Sequence, residues 1–142
     1  TRVLTGAALA PFQIMGAAQA VMHQNHPRNA RQAAALQRFA SSLPEVAQFA
    51  SGKNLASPAN AARAVAVLSD IIGKAQALGA TELDSDPGFQ NALARVSTRF
   101  GANMGLDAVD LALSKLAVAN PSAARAVPGL RRRLVSARQS FR

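Results

Sequence analysis

Residues 57–79 read SPANAARAVAVLSDIIGKAQALG, and this stretch decides the fold class. Ser57 is a capping residue type, and Pro58 takes the first helical position, where its missing N–H loses no needed hydrogen bond. Val65, Leu68, Ile72 and Ala75 then recur at three- and four-residue steps, the spacing of one helix side. Gly79 reads as the stop. A helix thus runs from Pro58 to Gly79 with one apolar side to bury.

The same punctuation recurs along the chain. Asp86-Pro87 and Asn120-Pro121 repeat the cap-plus-proline start, and Val127-Pro128 is a fourth start without a capping side chain. From Pro87 to a stop at Gly101, the residues Phe89, Leu93, Val96 and Phe100 form the apolar side. Asn29 with Gln32 has capping-box spacing and opens a helix with Ala33, Leu36, Ala40 and Leu43 on its apolar side. Pro44 starts a short helix carrying Val46 and Phe49. Asp107 and Asp110 are placed to cap another, with Leu106 stapled onto Leu111 and with Leu113 and Leu116 buried, ending near Asn120. A first helix begins around Thr5 or Pro11, runs to about Gln24 and buries Ile14, Ala18, Val21 and Met22, with Pro27 opposing its continuation. The last presents Leu130, Leu134, Ala137 and Phe141.

The expected fold is therefore all-α: a compact bundle or array of six to seven mostly antiparallel amphipathic helices. At 142 residues, the chain reads as a single domain over residues 1–142. Thr1 in place of an initiator methionine points to an excised piece of a longer protein or a processed chain. Composition agrees with helices. Alanine is the commonest residue, all six aromatics are Phe, and Tyr, Trp and Cys are absent. Lacking cysteine, the chain has no disulfide, thiolate metal site or thiol nucleophile.

The formal charge of +9 is unevenly spread. Arg2, Arg28, Arg31 and Arg38 stand in the first 44 residues without an acid, and all seven acids lie from Glu45 to Asp110. From Leu111 onward there are Lys115 and six arginines, again without an acid. Basic ends of this kind suit an acidic partner, because clustered positive charge raises the local potential and speeds encounter. Val3 to Pro27 carries no formal charge, but Pro11, Gln13, Gln19 and Gln24 interrupt it as a membrane span.

Catalytic and metal signatures are weak. His23 and His26 are three apart, yet no carboxylate precedes Glu45 to complete a ligand set, so the pair reads as polar residues at a helix end. Ser51-Gly52-Lys53 lacks the glycine of a phosphate-binding loop, Ala47 standing in its place, and reads as a turn. Gly101 and Gly105 frame a flexible connection. Glu82, Asp84 and Asp86 match only the opening positions of a calcium loop. No catalytic residue, metal site or cofactor is expected.

The C-terminal segment carries the functional expectation. Arg131, Arg138 and Arg142 share one side of a helix beside the stripe of Leu130, Leu134, Ala137 and Phe141, and Arg132 and Arg133 widen the basic patch. These residues, Phe141 included, are the expected partner-binding set. Such a helix suits an acidic or groove-bearing protein, an anionic membrane surface or nucleic-acid phosphate. Phe39, Phe49 and Phe141, each near an expected helix end, are the aromatic candidates for exposure. The Ala-, Arg- and Ser-rich texture resembles helical domains of effectors that Gram-negative pathogens inject into hosts, without a motif behind it. That resemblance implies a soluble bacterial protein, cytoplasmic or delivered to a host cell. The functional expectation is a non-enzymatic protein-interaction module; the alternative is a nucleic-acid-binding domain using its basic ends on phosphate.

Overall fold

The structure is a computed structural model and describes residues 27–81 and 89–141. These residues form five helices and no strand: α1 (Pro27–Ala50), α2 (Pro58–Gly79), α3 (Phe89–Ala119), the single turn α4 (Pro121–Ala124) and α5 (Val127–Gln139). The all-helical class agrees with the sequence; the described residues hold five helices, not six to seven, and two expected boundaries within them are bridged. The expected first helix, before Pro27, lies outside the described residues.

The first bridged boundary is Pro44, which sits inside α1. A proline there removes an N–H that would reach the Ala40 carbonyl, and costs about 3 kcal/mol or more in a free helix. Leu36, Phe39, Leu43, Val46 and Ala50 nevertheless form one unbroken buried side across it. Each fully buried Leu or Phe contributes roughly 1.5–3 kcal/mol, so packing on both sides of the proline outweighs the break.

The second is the Gly101–Gly105 stretch, which is helical within α3 rather than a cap and connection. Gly105 faces α1: a Cβ there would stand 2.8 Å from Leu43 Cδ2 and 3.0 Å from Phe39 Cζ. Glycine thus lets the two helices approach closely, and the lost helix propensity of about 1 kcal/mol is offset by tight packing. Asp107 and Asp110 accordingly lie mid-helix and face α5 instead of capping.

Cross-helix contacts give the arrangement. The pairs Gln32–Thr81, Ser42–Lys74 and Glu45–Arg63 make α1 and α2 antiparallel. Asn103–Phe141, Asp107–Arg138 and Ser114–Arg131 do the same for α3 and α5. The two hairpins then lie side by side, α3 along α1 and α5 along α2, each of these neighbours parallel. The within-hairpin pairs are antiparallel, as is the α2–α3 pair that touches across the bundle. Buried side chains from α1, α2, α3 and α5 fill a single core.

The remaining signals divide. Asn120 caps as expected, its side-chain oxygen accepting from the Ala123 N–H at 3.1 Å. Ser57 has extended cap backbone but its hydroxyl makes no capping bond. Gly79 is a close-approach residue instead of a left-handed stop, since a Cβ on it would stand 2.5 Å from Ser140 Cβ. Ser51-Gly52-Lys53 is the expected turn, with Gly52 at φ +81° and Asn54 at φ +61°, conformations that Gly and Asn tolerate best. α1 begins two residues before Asn29, and the Gln32 amide is buried and donates to the Thr81 carbonyl at 2.9 Å.

The expected apolar sides hold for α2, where Leu68, Ile72 and Ala75 are buried. They fail in the first turns of α3. The buried side there runs through Thr98, Ala102, Leu106, Val109 and Leu113, which leaves Val96 65 % and Phe100 53 % exposed. The side chains of Phe89 and Leu93, the other two members, lie outside the described residues. Conversely Phe39, Phe49 and Phe141 are all buried. Phe39 is no longer near an end once α1 runs through Pro44, and Phe141 folds back past α5 with its ring against Gly79.

Candidate functional site

α5 starts at Val127 with Pro128 in its first turn, and Val127, Leu130, Leu134 and Ala137 are its buried side. Residues 131, 135 and 138 repeat at steps of four and three, so Arg131, Val135 and Arg138 share another side, turned toward α3. Arg138 donates to Asp107 Oδ1 at 2.6 Å. Arg131 donates from Nη2 to the Ser114 hydroxyl at 2.6 Å and lies 3.8 Å from Asp110 Oδ1 through the same nitrogen. Its Nε is buried without a hydrogen-bond partner. Val135, between the two arginines, is 54 % exposed.

The facing side of α3 interleaves in the same way. Asp107, Leu111, Ser114 and Val118 repeat at steps of four, three and four, so two apolar residues alternate with the two that hold the arginines. Leu111 is half-buried, while Val118 is 87 % exposed. Toward the start of the helix the apolar line continues through half-buried Met104 to exposed Phe100 and Val96. At 100° per residue these five side chains occupy about a quarter of the helix circumference, over roughly 33 Å of its length. Bulky apolar side chains this exposed and aligned are a departure from a uniformly polar surface.

The expected partner-binding residues therefore separate. Arg131 and Arg138 lie on this face. Arg133 turns the opposite way and clamps α2, donating to the Ser69 hydroxyl at 2.7 Å and the Ser69 carbonyl at 3.1 Å. Arg132 is exposed and has no ion-pair partner among the described residues. Phe141 is 4 % exposed and belongs to the core; among the described residues the aromatic ring on the surface is Phe100. Arg142 lies outside the described residues, as do His23, His26, Glu82, Asp84 and Asp86. Phe100, Leu111, Val118 and Val135 were not in the expected set. For Phe100, Leu111 and Val118 the signal was apolar spacing on a side of α3 other than its buried one; Val135 stands alone on α5 and had no such signal.

Elsewhere, the outer α1–α2 seam forms an open cleft of about 280 Å³ lined by Ser42, Glu45, Arg63, Asp70 and Lys74 among others. Its charges pair off. Arg63 donates to both Glu45 oxygens at 2.9 and 3.0 Å, and Lys74 meets Asp70 at 2.9 Å and the Ser42 hydroxyl at 2.8 Å. Hydrogen bonding and charge attraction from Glu45 raise the Arg63 pKa above its ordinary value, so the guanidinium stays protonated. All four described carboxylates, Glu45, Asp70, Asp107 and Asp110, face a base. Among the described residues no three His, Asp or Glu side chains gather as a metal site, and no helix is long and apolar enough to cross a membrane.

No known protein family, curated protein or solved structure matches the chain.

Proposed function

We propose that this chain is a non-enzymatic helical module that binds another protein through the outer face of α3 and α5. The observation behind it is the exposed line of Val96, Phe100 and Val118 with Val135 opposite, set around Arg131 and Arg138. Removing such side chains from water is the main gain in most protein association, and arginines at the same place give direction and register to the contact. Interaction energy concentrates on aromatic and arginine residues of this kind. The test compares the full chain with a Val118→Asp, Val135→Asp variant as bait in extracts of the source cell and of cells it meets. A reproducible partner retained by the first and lost by the second is expected. Identical retention by both, or retention by neither, overturns the proposal.

The surplus of cations favours a second reading, nucleic-acid binding. Arg31, Arg38, Lys53, Lys115, Arg125 and Arg132 have no ion pair among the described residues, so their charge is free to meet phosphate. That reading requires affinity for unrelated DNA or RNA duplexes that falls steeply between about 50 and 200 mM salt, as counterion release demands. Fluorescence polarisation at the two salt concentrations decides it, and no binding at the lower one removes it.

A further inference from the structure

We infer that the occupant of the α3–α5 face is a single amphipathic helix of another protein, with carboxylates flanking its apolar side. This rests on the proposed role of the chain as a protein-binding module and names the partner's chemistry.

The shape of the face selects a helix. Met104, Leu111 and Val118 stand one heptad apart on α3, and Phe100 and Val96 extend the same line in four-residue steps. A straight apolar ridge with this repeat matches the ridge-and-groove spacing of a second helix packed along it at a shallow angle. A peptide that adds as a strand needs an open edge, and the described residues contain no strand; an extended proline-rich peptide needs a groove lined by several aromatic rings, and Phe100 is the one exposed ring among the described residues.

The charge selects an acidic occupant. Arg131 and Arg138 divide the face, and Lys115, exposed and without an ion pair, borders Leu111 and Val118 along α3. The two acids of the seam, Asp107 and Asp110, already face Arg138 and Arg131. Arg131 is only partly engaged: Nη2 makes both of its contacts and Nε is buried, which leaves Nη1 for a newcomer. A carboxylate arriving from outside therefore finds donors to take, whereas an arriving lysine or arginine meets like charge. A second copy of this chain is disfavoured for that reason. It would bring another Lys115, Arg131 and Arg138 against the first set, its Asp107 and Asp110 already facing its own arginines, from a chain of net charge +9.

The test selects binders to the full chain from a displayed library of amphipathic helical peptides. Its apolar positions are fixed as leucine and isoleucine, and its flanking positions are free to be acidic, basic or neutral. The selected peptides should be enriched in Asp and Glu at the flanks. Measured by polarisation, they should lose at least about tenfold in affinity to Val118→Asp and to Arg131→Gln, and keep it with Arg31→Gln, which lies outside the face. Val118→Asp alters a side chain in solvent, and an unchanged thermal melt will show that it folds. Binders without acidic enrichment, or binders insensitive to Val118→Asp, overturn the inference while the protein-binding role stands. A library that yields no binder at all counts against both. Concentration-dependent dimerisation in sedimentation, abolished by Val118→Asp, would assign the face to a second copy and overturn the acidic helix.

Discussion

The two hairpins of this protein are laced alike and finished differently. In the α1–α2 seam, Arg63 reaches Glu45 and Lys74 reaches Ser42. In the α3–α5 seam, Arg138 reaches Asp107 and Arg131 reaches Ser114. Half-exposed contacts of this kind contribute little to stability, since solvent screens them and ordering the side chains costs entropy. The difference lies between the contacts. Around the first seam stand Ser41, Ser42, Asp70 and Ala66, while around the second stand Leu111, Val118 and Val135. Similar charge lacing therefore accompanies a polar outer surface in one hairpin and an apolar one in the other, and the proposed interface lies on the second.

Joining the hairpins is a separate matter, handled by buried contacts, and the largest predicted effect lies there. Phe39→Ala empties the place where α1 meets Gly105 of α3, and should cost about 3–5 kcal/mol, read as a fall in the urea midpoint. Gly105→Ala overpacks the same place and should cost about 1–2 kcal/mol net of its gain in helix propensity. The double variant should lose less than the two together, because the new methyl enters space the ring has left. Strict additivity would mean that Gly105 is not the point of closest approach.

A polar contact between hairpins comes next. Arg133→Gln removes two hydrogen bonds to Ser69 on α2 and should cost about 1 kcal/mol, the charge-assisted value discounted for partial exposure. An unchanged melt would make Arg133 a surface residue in energetic terms and return it to the set available for partners. Thr98→Val should act in the other direction. Its hydroxyl is buried at 1 % exposure without a hydrogen-bond partner, and the nearly isosteric valine should raise stability by about 1 kcal/mol in denaturant titration.

The smallest effect on stability is the sharpest on function. Val118→Asp and Ala66→Asp place the same charge on the outer sides of the two hairpins, and each should move unfolding free energy by less than about 0.5 kcal/mol. Only Val118→Asp should abolish partner capture. Equal loss from both would erase the distinction between the seams.

Much of the fold was legible in the sequence because helix propensity and periodicity are local. The α2 limits, the Asn120 cap, the Gly52 turn and the start of α5 all follow from a few neighbouring residues. The merged helices did not follow. Proline and glycine carry local costs that read as boundaries, and whether Leu43 or Gly105 has a packing partner across the bundle depends on residues far away in sequence. The candidate face was half legible for the same reason. Arginine density pointed to α5, but its three consecutive arginines split between α2, solvent and α3 according to their angles around the helix.

By itself, then, the sequence determined an all-helical chain with oily helix sides and an excess of arginine, because those depend on residue type and spacing. Tertiary structure alone decided that Phe141 goes inward while Phe100 and Val118 stay outside. Apolar periodicity records that a side chain is oily, and only the placement of neighbouring helices determines whether anything covers it.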